Sequence, residues 1–166
     1  MKSARIGFRC WSIDDLPLAR ELWADIEVTR FLGGPFPNEE IGQRLEREIA
    51  RMNAYQFQYW PIYLLSSGEH VGCCGLRPYR PEEQIPELGF HLRPRYWGQG
   101  LASEAARTVI RYAFETIGAK GLSAGHHPEN TTSKKLLEKL GFAYTHDDFY
   151  APLQMNLPYY LLSRPQ

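Results

Sequence analysis

Two glycines at the start of a helix form the clearest candidate site in the sequence. Gly98 and Gly100 follow an alternating apolar segment, and residues 99–117 have the spacing of an amphipathic helix. Glycine reaches positive φ angles and lets a ligand approach the backbone closely. Free N–H groups and the positive end of the helix dipole attract anions at such a helix start. The pattern R-x-x-G-x-G-x-A over residues 95–102 therefore predicts a turn that binds a phosphate-bearing ligand.

Other phosphate-binding motifs fit this sequence less well. There is no GxxxxGK[ST] pattern, which argues against a P-loop nucleotide hydrolase. The turn lacks the third glycine of the dinucleotide fingerprint, and it follows several predicted strands rather than opening a first βαβ unit. The remaining interpretation is a glycine turn that opens a helix in the middle of the chain.

Ionisable side chains precede the turn on a predicted strand that begins near Ile85. Side chains alternate between the two faces of a strand, so Glu87, Gly89 and His91 share one face. Because Gly89 has no side chain, we expect this face to be open between the two ionisable groups. A carboxylate and an imidazole placed in this way are candidates for general acid–base chemistry. The competing interpretations are a solvated glutamate at the start of the strand and a histidine that is packed or lies at the surface.

Strand and helix patterns mix along the whole chain, without repeats or a low-complexity linker. This mixture predicts one α/β (α+β) domain over residues 1–166. Predicted strands cover residues 5–10, 60–66, 70–76, 85–92, 122–126, 143–146 and 158–163, and predicted helices cover residues 16–26, 38–53, 99–117 and 130–140. Asn38 and Asn130 are the expected N-caps of the second and fourth helices. Residues 78–86 and 147–157 are expected to be irregular connections.

The composition argues against several classes of protein. Nineteen basic residues balance nineteen acidic ones, so no overall field favours nucleic acid or an anionic membrane. No segment is apolar enough for a signal peptide or a membrane span, which favours a cytoplasmic protein. Three cysteines without CxxC spacing and five histidines without HExxH spacing predict neither a disulfide framework nor a metal site. The adjacent Cys73 and Cys74 are expected to be buried on opposite faces of a strand.

Two segments of the chain together resemble the GCN5-related N-acetyltransferase (GNAT) superfamily. The first is the glycine turn with the start of its helix, YWGQGLASEA, which is similar to the family's pyrophosphate loop, Q/R-x-x-G-x-G/A. The second is NTTSKKLLEKLGF, over residues 130–142, which is similar to the penultimate helix of the branch that acetylates ribosomal-protein N-termini. The order of elements over residues 5–162 also agrees with that family.

The resemblance implies the GNAT fold, in which a mixed, mostly antiparallel sheet of about six to seven strands splays at the fourth strand and carries about four helices. It also implies acetyl-CoA as cosubstrate and direct attack of a substrate amine on the thioester. The splayed strand would pair with the pantetheine arm, and the turn would hold the pyrophosphate. Arg95 would add charge, unless its side chain is solvated. The residues implicated in cofactor binding are His91, Leu92, Arg95, Trp97, Gly98, Gln99, Gly100, Leu101, Ala102 and Asn130.

Amide formation needs a base for the amine and an acid for the departing thiolate. The family often has a carboxylate near the position of Glu87, so Glu87 is the expected base, directly or through water, with His91 as a helper. Ser133 is the expected acid, because it shares one helix face with Leu137 and this branch often has a serine where other members have a tyrosine. The alternative is local: Asn130 and Ser133 occupy the N-cap and N3 positions, where the hydroxyl would serve only the helix start.

The acceptor site is expected between two loops, at residues 30–37 and 147–156. Its candidate side chains are Phe31, Phe36, Phe149 and Tyr150. Asp147 and Asp148 could attract a cationic amine. Neutralising an α-amine at pH 7 costs roughly 1.4 kcal/mol, against about 4.6 kcal/mol for a lysine, so a single carboxylate base suits an α-amine better. The expected partner is a peptide N-terminus or a small-molecule amine. The sequence does not determine the oligomeric state, for which a homodimer is one candidate.

Two other classes of function stay open. One is a CoA-binding or sensor module without catalysis, in which Glu87 and Ser133 are dispensable. The other is a nucleic-acid binder that stacks bases on the aromatic cluster at residues 55–60, against which the balanced charge counts. Aromatic residues that lead into a strand usually pack in the core, so neither nucleic acid nor a membrane is an expected partner.

Overall fold

Seven strands and five α-helices make up the computed structural model, which describes residues 1–164. The strands are β1 (Ile6–Phe8), β2 (Tyr59–Leu64), β3 (His70–Arg80), β4 (Ile85–Leu92), β5 (Gly121–Gly125), β6 (Ala143–Tyr150) and β7 (Met155–Ser163). The helices are α1 (Leu16–Trp23), α2 (Ile26–Thr29), α3 (Asn38–Tyr55), α4 (Leu101–Tyr112) and α5 (Thr131–Lys139).

The strands form one sheet in the order β1-β2-β3-β4-β5-β7-β6. Neighbouring strands are antiparallel except β4 and β5, which are parallel and share a single registered pair, Glu87 with Ser123. The two strands therefore separate on either side of this pair. This arrangement confirms the predicted mixed, mostly antiparallel sheet with a splay at the fourth strand.

Helices cover both faces of the sheet and create two hydrophobic cores. The first core includes Leu101, Ala105, Ala106 and Val109 of α4 and Leu137 of α5. The second core includes Trp23 of α1 and Ile41 and Leu45 of α3. Cys74 belongs to the first core and Cys73 to the second, which confirms their predicted burial on opposite faces. Within residues 1–164, no helix has the length and apolar character needed to cross a membrane, and no three His, Cys, Asp or Glu side chains gather where they could hold a metal ion.

Both connections that were predicted to be irregular contain strand residues. Pro78 lies inside β3 at a register irregularity and Pro86 is the second residue of β4, two positions where a missing N–H is tolerated. Residues 147–157 belong mostly to β6 and β7, which are joined by the short helical turn Ala151–Leu153. β6 is an edge strand that is exposed on both faces, so its sequence lacks the alternation of a half-buried strand.

The N-cap prediction is confirmed for one helix and wrong for the other. Asn130 caps α5, because its Oδ1 accepts a hydrogen bond from the N–H of Ser133 at 3.1 Å. Asn38 is the first residue of α3, and the cap position is taken by Pro37, which makes no side-chain bond. The regular part of α4 is shorter than predicted: it starts after Gly100 and passes into a wider π-type turn after Tyr112.

Candidate active site

The glycine turn adopts the conformation that its sequence predicts. Gly98 and Gly100 have φ angles of 71° and 75°, in the left-handed region that favours glycine. A β-carbon built on Gly98 would meet nothing within 4 Å, so the space beside it is open. The N–H groups of residues 98–103 donate no hydrogen bond to another group within residues 1–164, and the first helical bond comes from the N–H of Glu104. Unpaired donors at an open helix start fit a pyrophosphate.

Arg5 holds the turn against the N-terminal strand. Its Nε donates to Oε2 of Glu104 at 2.7 Å, and its Nη1 donates to the carbonyl of Gln99 at 3.2 Å. Its Nη2 lies 3.7 Å from the position that a β-carbon on Gly100 would take. A guanidinium thus stands beside the open donors, where it adds positive charge. Arg5 escaped prediction because 99 residues separate it from Glu104 and no local pattern links the two.

Trp97 and Arg95 connect the turn to neighbouring strands. Nε1 of Trp97 donates to the carbonyl of Leu92 at 2.8 Å, which joins the end of β4 to the turn. Nη2 of Arg95 lies 3.3 Å from Oε1 of Glu69, and both side chains are about half exposed. The carbonyl of Arg95 accepts a hydrogen bond from the amide of Gln99 at 2.8 Å. The guanidinium of Arg95 is directed to a surface carboxylate, so its contribution to cofactor binding stays a prediction.

Glu87 is buried where β4 and β5 separate. Glu87 is 5% exposed, and the guanidinium of Arg77 on β3 donates to its Oε1 at 2.7 Å. Burial raises the pKa of Glu87, although the charge and the hydrogen bond of Arg77 oppose the shift. The solvated-glutamate interpretation is therefore wrong. A buried carboxylate with a raised pKa is a stronger base than an exposed one, as general-base chemistry requires.

Tyr59 fills the space that was expected to be open above Gly89. A β-carbon on Gly89 would overlap the hydroxyl and ring of Tyr59, so the expectation of an open face is wrong. The hydrogen bonds of Tyr59 involve its backbone, and its hydroxyl has no partner within residues 1–164. Burial raises the pKa of this hydroxyl, which keeps it a donor. Gly75 and Gly89, which lie in register on β3 and β4, are a sequence signal that a large side chain such as Tyr59 packs over them.

His91 packs into the second core. Nε1 of Trp23 donates to its Nδ1 at 3.3 Å, and Sγ of Cys73 lies 3.6 Å from the same nitrogen. Burial lowers the pKa of His91 well below its usual value, and the charge of Arg44 adds to this effect. The imidazole is therefore neutral, which agrees with the packed interpretation. A contact between His91 and the cofactor would come from its backbone.

Ser133 lies in the first turn of α5 with a free hydroxyl. Its N–H donates to Oδ1 of Asn130, whereas its hydroxyl has no hydrogen-bond partner within residues 1–164. Leu137, one turn further on, is 1% exposed, so this helix face is directed inward. The cap uses the backbone of Ser133, and the hydroxyl is left available for another role.

The two loops expected to form the acceptor site lie against each other. A β-carbon on Gly33 would lie 3.0 Å from Cδ2 of Leu153, in the turn between β6 and β7. The ring of Phe31 lies 5.0 Å from that of His127, just after β5. The ring of Tyr150 lies 5.8 Å from the guanidinium of Arg77. We call the sheet face that carries Arg77, Glu87 and Tyr150 the Glu87 face.

The other residues expected at the acceptor site are divided between the two sides of the sheet: Phe36 and Asp148 lie on the side of Glu87, whereas Phe149 and Asp147 lie on the opposite side. Phe36 packs against the second core. Phe149 is 58% exposed on β6, and strand alternation directs it to the face opposite Tyr150. Asp147 shares that opposite face, where the hydroxyl of Tyr144 donates to it at 3.3 Å and it lines a cavity of about 530 Å³ beside α5. The structure does not bring Phe149 or Asp147 to the Glu87 face.

Comparisons with known proteins agree with this geometry. The uncharacterized N-acetyltransferase p20 of Bacillus licheniformis is 30% identical over 140 residues, which are 83% of this chain and 79% of that protein. The crystal structure of an acetyltransferase from Agrobacterium tumefaciens has a TM-score of 0.83 at 25% identity and covers 99% of this chain and 94% of that one. RimL, a ribosomal L7/L12 alpha-N-protein acetyltransferase, has a TM-score of 0.81 over 98% of this chain and 92% of its own, and at 14% identity this likeness concerns the fold.

The acetyltransferase (GNAT) domain matches residues 5–143, which include both motifs and the Glu87 face up to β5. This match confirms the family, the acyltransferase class and the cosubstrate that the two motifs predicted. The chain therefore belongs to the GNAT acetyltransferase family, in which acetyl-CoA is the acyl donor.

Proposed function

We propose that the protein acetylates a primary amine bound on the Glu87 face, by direct attack of that amine on the thioester. The observation that carries this proposal is the buried Glu87, which lies at the separation of β4 and β5 on the strand that leads into the phosphate turn. Trp97 joins the end of this strand to the turn, so the base and the cofactor site are held by one continuous segment.

The glycine turn is the proposed cofactor site. The N–H groups of residues 98–102 would hold the pyrophosphate, and Arg5 would add charge beside Gly100. Acetyl-CoA, when bound, supplies an activated thioester. Asn130 and the backbone of His91 and Leu92 would contact the pantetheine arm, as the family resemblance implies.

Glu87 would take the proton of the amine. Oε1 of Glu87 already accepts a hydrogen bond from Arg77, so Oε2 is the oxygen that would receive the proton, directly or through water. Arg77 fixes the orientation of the carboxylate. The protonated hydroxyl of Tyr59, next to Gly89, would donate a hydrogen bond toward the reacting atoms.

Ser133 would donate a proton to the departing CoA thiolate. Its hydroxyl is half-buried, lies on the inward face of α5 and is not used by the helix cap. A serine is a weak acid, but a hydroxyl within hydrogen-bond reach can stabilise a thiolate as it forms.

The acceptor is proposed to be an α-amine at a peptide N-terminus or on a small molecule. Neutralising an α-amine at pH 7 costs roughly 1.4 kcal/mol, which is less than neutralising a lysine amine. A single carboxylate base therefore suits an α-amine better. The resemblance of residues 130–142 to the ribosomal-protein branch supports a peptide. The proposed location of the protein is the cytoplasm.

A thiol-release assay tests this function. Acetyl-CoA is mixed with the protein and a panel of peptides, amino acids and polyamines, and free CoA thiol is followed with a thiol reagent. We expect release that depends on an amine. The ion pair between Arg77 and Glu87 favours one alternative, a CoA-binding module whose carboxylate is neutralised by its partner. Cofactor binding without turnover of any amine would support that alternative, and the lack of cofactor binding would contradict both.

A further inference from the structure

Helix α3 places a stripe of charged residues over the Glu87 face. Arg44, Glu48 and Arg51 are spaced by four and three residues, so they lie on one side of the helix. Glu48 is fully buried, pairs with Arg51 and accepts a hydrogen bond from the N–H of Tyr59 at 2.8 Å. Glu87 is likewise paired with Arg77. Each of these two buried carboxylates therefore has a guanidinium partner.

Arg44 is the basic residue of this stripe that forms no ion pair within residues 1–164. Within residues 1–164, no carboxylate lies within 4.0 Å of its guanidinium. The group is held by aromatic rings instead, 4.4 Å from the centroid of Trp23 and 5.7 Å from that of Phe36. A guanidinium that stacks on a ring keeps its N–H donors free at the edge of the plane, in the fork that suits a carboxylate. The side chain is half-buried, so the donors are accessible but partly shielded from water.

The position of Arg44 fixes where an anion would lie. Its guanidinium stacks on Trp23, whose Nε1 donates to Nδ1 of His91 at 3.3 Å, so Arg44 lies at the His91 end of β4. Four residues separate Glu87 from His91, which corresponds to about 13 Å along a strand. Asp147, which was expected to attract a cationic amine, lies on the opposite face of the sheet. Asp148 shares the face of Tyr150 by strand alternation, but it lies on the edge strand β6, two strands beyond β5. At the His91 end, the charge without an ion-pair partner within residues 1–164 is the positive charge of Arg44.

We propose that the acceptor carries a carboxylate several bonds away from its reactive amine, and that Arg44 binds this carboxylate. The inference rests on the proposed function, since it places the amine at Glu87. A peptide N-terminus with an acidic side chain in its first few residues has this shape, and so does a long ω-amino acid. A free α-amino acid is too short to reach both groups, and a polyamine offers the wrong charge.

Binding to the CoA-loaded protein tests this inference without requiring turnover. Titration calorimetry compares pairs of peptides, called twins, that differ only in having Glu or Gln at position two, three or four. It also compares a long ω-amino acid with the alkylamine of the same length. A charge-assisted bidentate bond is stronger than a neutral hydrogen bond, so we expect at least one Glu peptide to bind about tenfold more tightly than its twin. The ω-amino acid arm then shows whether a free small molecule suffices.

Matched variants of α3 separate a specific contact from general charge. Arg44→Gln should abolish the preference for Glu over Gln. Arg47→Gln, at an exposed position three residues further along α3, should keep it. The ratio within one variant does not depend on the fraction that is folded. Equal binding of all twins by the native protein, or a preference that survives Arg44→Gln, would overturn the inference. Thiol release is measured on the same samples, so a failure of the proposed function is seen separately.

Discussion

Replacing Glu87 by Gln removes a base and keeps nearly the same side-chain shape. We expect Glu87→Gln to lower kcat by about 10²–10⁴-fold, because an amide cannot take the proton of the amine, while CoA binding at the distant turn is unchanged. In the native protein the carboxylate must be deprotonated to act. Since burial raises its pKa, activity should be lost with falling pH at values above those of an ordinary glutamate. The measurements are kcat and the pH profile of kcat/KM.

A surface carboxylate supplies the control for this prediction. Glu83 is exposed and lies 3.4 Å from Arg80, and Glu83→Gln should leave both quantities as they are. Turnover by Glu87→Gln at the native rate would show that Glu87 is a buried structural partner of Arg77 and not the base.

Ser133 allows a second test, because its backbone N–H takes part in the helix cap whereas its hydroxyl is the proposed acid. Ser133→Ala retains the N–H that donates to Asn130, so the thermal unfolding temperature and the affinity for CoA should change little. Turnover should fall roughly tenfold or more if the hydroxyl protonates the thiolate. Thr132→Ala, at the exposed neighbouring position, is the matched control. Native turnover combined with a lower unfolding temperature would assign Ser133 to the helix cap alone.

At the level of elements, local signals identified the parts that are proposed to bind the cofactor. The glycines at 98 and 100 and the cap at Asn130 act within a few residues of where they stand, so their patterns survive in the sequence. Contacts between distant segments left weaker signals: the glycines at 75 and 89 leave room for a large side chain but do not identify Tyr59 as the residue that fills it. The position of Tyr59 over Gly89 and the bond from Arg5 to Glu104 depend on strand order and register, which periodicity does not encode.

The glycine turn gives a prediction that separates strain from function. Gly98 and Gly118 have φ angles of 71° and 73°, and a β-carbon on either would meet nothing within 4 Å. Gly98→Ala and Gly118→Ala should therefore destabilise the fold by a similar amount, about 1–2 kcal/mol, through the left-handed backbone alone. Gly98→Ala should also weaken CoA binding, because its methyl group enters the open space beside the turn, whereas Gly118→Ala should not.

Urea unfolding and CoA titration measure the two effects. The pair is informative because Gly118 follows the far end of α4, where no phosphate site is proposed. Equal CoA affinity of the two variants would contradict the placement of the cofactor on the turn.

For the molecule as a whole, the sheet separates an apolar side from a side with buried charge. The first core consists of aliphatic and aromatic side chains and Cys74, whereas the second adjoins the buried carboxyl groups of Glu48 and Glu87. Burial raises the pKa of both glutamates, and each keeps a guanidinium partner that opposes the shift. Buried pairs of this kind contribute little net stability but are costly to break. Their concentration on one side of the sheet is thus better explained by the chemistry of the Glu87 face than by stability.

His70, the first residue of β3, makes the stability of the whole chain depend on pH. It is buried, and neither ring nitrogen has a hydrogen-bond partner within residues 1–164. Burial lowers the pKa of His70 from 6.5 to about 4, and the charge of Arg93 adds to the shift. The unfolded chain therefore takes up a proton at a higher pH than the folded chain does. The stability linked to the neutral ring is present above pH 6.5 and is lost as the pH falls toward 4.

His70→Phe removes this titration and keeps the ring contacts with Trp11 and Tyr63. At pH 7.5 the variant should be at least as stable as the native protein, because an unpaired buried polar group is replaced by an apolar one. At pH 5 its advantage should grow by about 2 kcal/mol, the proton-binding free energy that the native protein loses there. Urea unfolding at both pH values measures the two differences. Glu48 and Glu87 titrate in both proteins and cancel, so an advantage that is the same at pH 5 and pH 7.5 would contradict the lowered pKa of His70.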